Sequence, residues 1–214
     1  FKKGGAYYAK IPGVMKGCIM TDANNQTILI AISHGSKEES TKTWQVFLDD
    51  VMGSVTNFNT PESGICSDRD GGVLNVSSQF VCAWTYCYAH VKRDIAAKFK
   101  STPTRDYVGA FTNLVFSKTI PEFQAIWRDY VIADSEFKDY LEEIGRAHFA
   151  PVYFPEGKHE NRTTNSIEGL WSTALHLRSE QCVVPFFAGV YGVSLKQIAA
   201  ARSRAASWTM VLTP

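Results

Sequence analysis

The first apolar runs along this chain are short, as strands require. Residues 13–21 read as one strand, closed by the polar turn Asp22-Ala-Asn-Asn25, and the β-branched run Thr27-Ile-Leu-Ile-Ala-Ile-Ser33 reads as the next. Turn residues that tolerate left-handed backbone between two such runs predict a hairpin. From Ser40 the period changes: Trp44, Phe47, Leu48 and Val51 recur at i, i+3, i+4 and i+7, which gives a helix one apolar face. A short buried strand over 63–67, a helix over 72–79, a strand over 81–86 and a helix over 88–99 follow. Beyond Pro103 only helical periodicity remains, over 106–116, 121–131 and 135–145, with Pro121 suited to a first helical position. Residues 150–157 are irregular. Two more helices are expected, over 166–177 and 185–206, the last with Lys196, Arg202 and Arg204 at a basic end.

This order predicts an α/β fold, a mixed sheet with helices packed on it. The length of 214 residues suits one domain with a helical insertion, and 45% hydrophobic and 13% aromatic residues can build a real core. The net charge of +1 gives no independent support for a nucleic-acid partner. Five cysteines, an odd number with no secretory segment before them, point to reduced thiols in an intracellular protein that is not secreted. No apolar run approaches the roughly 20 residues of a membrane span. A start at Phe1 and an abrupt end at Thr213-Pro214 suggest a piece of a longer protein. There is no P-loop, G-x-G-x-x-G or G-x-S-x-G, so neither a nucleotide cofactor nor a serine hydrolase is supported.

The candidate chemistry lies in three short motifs. In Ile65-Cys-Ser-Asp-Arg-Asp-Gly-Gly72, Asp68 follows an apolar strand and precedes two glycines that permit a sharp turn into a helix. The competing reading is that Asp68 only caps that helix, although Asp70 is better placed to do so. Cys87-Tyr-Ala-His90 offers two soft ligands, half of a zinc site. No second pair accompanies them, so zinc is not expected, and a structural or site-supporting role fits better. In Asn165-Ser-Ile-Glu168, Glu168 opens a helix, and the same four residues match a capping box with Asn165 at the N-cap. His34 ends a strand, while His148 and His176 read as ordinary packing or surface residues. His159, in Lys-His-Glu-Asn-Arg162, belongs to a solvated loop.

In this order the motifs resemble the catalytic core of a Mutator-like (MULE-type) DDE transposase: an acid after a strand, a Cys-x-x-His, then an acid opening a helix about a hundred residues on. The resemblance runs from about Gly4 to Arg178 and includes Ser33-His-Gly, Glu39 and the Trp44–Leu48 helix after the hairpin. It implies a ribonuclease H-like mixed sheet flanked by helices, with a helical insertion before the last acidic residue. Residues 1–100 would form the sheet part, 101–150 the insertion, and 151–214 the C-terminal helices with the third acid. It implies that Asp68 and Glu168 are catalytic and bind Mg²⁺ or Mn²⁺ in a two-metal site, supported by Cys87, His90 and Asn165. It further implies metal-dependent DNA cleavage and strand transfer in the nucleus, with transposon ends and target DNA as partners and a homo-oligomer as the working form.

The first acid of that family is not found among these residues; it either lies upstream, is supplied elsewhere or is lost. Gly4-Gly-Ala-Tyr-Tyr-Ala-Lys-Ile-Pro-Gly13 is similar to the family's Asp-Gly-Thr/Ala segment, and the Asp position falls on Gly4. Asp22 is no substitute, because eight extended residues place it on the order of 25 Å from the start of its strand. The first central strand is truncated, with only residues 1–3 to represent it. The alternative to an enzyme is therefore a catalytically dead, transposase-derived DNA-binding or protein-interaction module.

Overall fold

Each of five helices begins where the chain supplies an acceptor for amides that have no partner in the first turn. In the helix Thr41–Ser54 (α1), Ser40 Oγ accepts from Thr43 N at 3.4 Å and Thr43 Oγ1 accepts from Ser40 N at 3.1 Å, a reciprocal box. Asp70 caps Gly71–Ser77 (α2) with a single bond, accepting from Gly72 N at 2.8 Å. Asp106 caps Tyr107–Phe116 (α4), Thr119 caps Ile120–Ile126 (α5) and Asp134 caps Ser135–Ile144 (α6). The helix Tyr88–Lys98 (α3) is the exception, since Cys87 at its N-cap makes no side-chain capping bond.

The computed structural model describes residues 2–3, 6–7, 14–21, 27–35, 40–61, 63–100, 105–154 and 183–206. The expected helix over 166–177 lies outside them, as do Gly4, Asp22, Asn165 and Glu168. The fold is mixed α/β and divides into two compact units, one made of residues 1–38 with 165–214 and the other of residues 39–164.

In the first unit, Lys2–Lys3 (β1) pairs antiparallel with Ala6–Tyr7 (β2), and Met15–Thr21 (β3) with Thr27–His34 (β4). The expected hairpin is therefore present, with a register shift between Cys18 and Ile19. Phe186 and Val190, on the helix Val183–Ala206 (α7), are buried against Met15, Leu29 and Ile32 of the hairpin. Residues 2–3, expected as the remnant of a central strand, instead form the two-residue ladder with β2.

The second unit is built on a parallel pair. Gly64–Ser67 (β5) and Ala83–Tyr86 (β6) lie side by side in register from Gly64↔Ala83 to Ser67↔Tyr86, with α2 as the crossover. Asn59 Oδ1 accepts from Val81 N at 2.8 Å and Cys82 N at 3.2 Å, fastening the approach to β6. The first turn of α2 lies so close to α1 that a Cβ on Gly72 would meet Trp44 Cδ1 at 2.7 Å. A second core is helical. Val91 and Ile95 of α3 pack with Phe111 and Leu114 of α4, Phe123 of α5 and Phe137 and Leu141 of α6. Phe99 joins them, stacked on Tyr107 at 4.6 Å and edge-on to Phe137 at 5.4 Å. The helix expected over 121–131 starts one residue early and widens after Ile126 into a π-helical turn, Trp127–Val131, where Ile132 N bonds Trp127 O at 3.0 Å. Among the described residues the strands form three two-stranded ladders, and no described strand bridges them into one mixed sheet.

Candidate functional site

A parallel β-α-β unit puts the C-terminal ends of both strands at one edge, where open α/β sheets place their ligands. Here Ser67 pairs with Tyr86, so Asp68 and Cys87 leave the sheet side by side. Cys87 N donates to Ser67 O at 2.7 Å and extends the ladder to that edge. Ser67 Oγ donates to the Asp68 carbonyl at 2.7 Å and accepts from Trp84 Nε1 at 2.9 Å, which fixes the backbone under Asp68. The Asp68 carboxylate is half-buried, and its contact with a backbone amide, Asp70 N, is long at 3.5 Å. Capping falls to Asp70, as expected from the sequence, and leaves Asp68 out of the helix cap.

Of the two neighbouring thiols, Cys87 is buried and Cys66 half-buried. Burial pushes the Cys66 thiol up to about 12, with Cys87 and Asp68 pushing the same way and the Thr85 hydroxyl opposing them. Cys66 is thus a neutral thiol at physiological pH, not a soft anionic ligand. Cys87 is fully buried, and His90 lies half-buried in the first turn of α3. Cys18, Cys66, Cys82 and Cys87 form no disulfide. Among the described residues no three His, Cys, Asp or Glu side chains gather as a metal site. Asp68 brings one oxygen donor suited to a hard cation, while Glu168 and Asn165 lie outside the described residues.

An aromatic and basic cluster borders the same edge, and its members carry no local sequence signal. The Arg69 guanidinium lies 5.9 Å from the Tyr86 ring centroid and 5.7 Å from that of Tyr140, and Nη1 donates to Tyr140 Oη at 3.2 Å. Tyr86 stacks on His148 at 4.9 Å. His148 Nδ1 lies 2.6 Å from the Trp84 carbonyl and donates its N–H to it, since a carbonyl can only accept. Gly145, with φ of 82°, makes the turn that delivers His148, in a conformation side-chain-bearing residues rarely adopt. Beside the cluster, Thr85, Tyr86, Tyr88, His148 and Phe149 line a cavity of about 10 Å³, the size of one water molecule.

No helix among the described residues is long and apolar enough to cross a membrane. No protein-family model matches the chain, and no curated protein matches it.

Proposed function

We propose that this chain is a transposase-derived core of the Mutator-like kind, with a ribonuclease H-like fold, in which Asp68 and Glu168 hold divalent metal against DNA. The observation that supports it best is the position of Asp68. It stands at the C-terminal edge of a parallel strand pair, on a hydrogen-bonded backbone, while Asp70 takes the capping role. Rigid strand ends of this kind hold catalytic carboxylates in place. Among the described residues Asp68 supplies the one carboxylate at this edge, and Glu168 would be the second acid holding a bound Mg²⁺ or Mn²⁺. When bound, two such ions stabilise the attacking and leaving oxygens of a phosphodiester. Under this reading DNA ends are the substrate, the nucleus is the compartment and a homo-oligomer is the working form.

Gly4 favours a second reading. A glycine at the family's first acid offers no carboxylate, which fits a catalytically inactive DNA-binding or protein-interaction module.

Calorimetric titration with Mn²⁺ tests the metal site. Binding by the wild type, lost in both Asp68→Asn and Glu168→Gln, is the expected result. No binding, or binding indifferent to both changes, overturns it. A nicking assay on plasmid DNA then separates the two readings. Activity in the wild type favours the enzyme, activity only in Gly4→Asp favours an inactive descendant with its other acids intact, and none in either leaves a module without catalysis.

A further inference from the structure

Arg69 follows Asp68 directly, and its surroundings are unusual for a half-buried arginine. Tyr86 from β6 and Tyr140 from α6 hold the guanidinium by their rings, and Tyr86 is itself pinned by His148. Yet no carboxylate of the described residues lies within ion-pair distance of Arg69. Among the described residues its single hydrogen bond uses Nη1, and Nε is buried without an acceptor. Asp94 and Glu143 act electrostatically on the Tyr140 phenol from α3 and α6, and neither pairs with Arg69. The edge formed by Nε and Nη2 is the one that meets a phosphate with two parallel hydrogen bonds. Because Nε is buried, the guanidinium must tilt to present that edge to a ligand, and the hydrogen bond that resists the tilt is 3.2 Å long.

We infer that Arg69 binds a phosphate of the nucleic-acid backbone beside Asp68. The inference rests on the proposed function for its choice of DNA over other phosphate carriers. It makes Arg69 a substrate-positioning residue and Tyr86, Tyr140 and His148 the frame that aims it.

The test uses the full chain and a fluorescently labelled DNA duplex, read by anisotropy in EDTA, with the melting temperature measured for each variant. Arg69→Gln is expected to weaken binding about tenfold and to lower the salt dependence by about one counterion. Arg69→Lys keeps the charge but loses the fork, so it should keep the salt dependence while still losing affinity. In the wild type, inorganic phosphate should shift the Arg69 Nε–H resonance in a saturable way. Unchanged duplex affinity in both variants, or a wild type that does not bind duplex, overturns the inference. Should the variants fail to fold, the resonance decides alone, and its indifference to phosphate overturns the inference too. Because EDTA removes metal, failure of Mn²⁺ binding sinks the metal site without touching this result, and the reverse also holds.

Discussion

Asp134 joins two elements through one carboxylate. It caps α6 by accepting from Phe137 N at 3.1 Å, and it accepts from Tyr107 Oη of α4 at 2.7 Å. The Tyr107 hydroxyl, the Phe137 amide and the Arg105 guanidinium hold it below its ordinary value of 3.8. A depressed acid stabilises the fold fully above that ordinary value, and the contribution disappears as pH falls through the lower folded value. Asp134→Asn keeps a capping oxygen and removes the ionisation. It should lower stability at neutral pH, where the ionised carboxylate contributes, and flatten the acid limb, so that the two proteins converge as the pH falls. Asp134→Ala should cost about 1 kcal/mol at neutral pH through the lost cap. Urea denaturation of the three proteins from neutral to acid pH checks this, and identical acid limbs in wild type and Asp134→Asn would refute it.

Among the elements, α1 and α2 meet through a position without a side chain. A Cβ at Gly72 would press on Trp44 Cδ1 at 2.7 Å and on Asp70 Oδ1 and the Ser40 backbone at 3.0 Å, whereas one at Gly71 would meet nothing within 4 Å. Gly72→Ala should therefore destabilise by roughly 1–3 kcal/mol and shift tryptophan emission, while Gly71→Ala should be neutral or slightly stabilising. Equal thermal melts for the two variants would contradict this packing. Such elements were legible in the sequence where a local device announces them. The Phe47, Leu48 and Val51 stripe, the hairpin and the cap at Asp70 are all of that kind. The π turn at Trp127–Val131 was not legible, because Phe123, Ile126, Trp127, Tyr130 and Val131 keep the spacing of an ordinary α-helix across it. The Asp68 edge was readable from its strand, turn and helix order. Its aromatic frame was not, since Arg69 and Tyr140 are 71 residues apart and only packing brings them together. His148 gave the same difficulty, because its bond to Trp84 spans 64 residues.

Across the whole molecule, residues 39–164 form a unit continuous in sequence, and the helical core seen among the described residues runs from Val91 to Ala150 within it. Expressed alone, this segment should show helical circular dichroism and one cooperative thermal transition. A featureless melt would mean that its core needs the chain ends. The other unit is assembled from both ends of the chain, and that has a consequence for synthesis on the ribosome. Met15, Leu29 and Ile32 emerge early, but Phe186 and Val190, which cover them, are made about 150 residues later. At roughly 5–20 residues per second, the nascent hairpin waits on the order of 10–30 s with its apolar face uncovered. During that interval it depends on the crowd around it, and a chaperone that masks short apolar strands would find its natural client there.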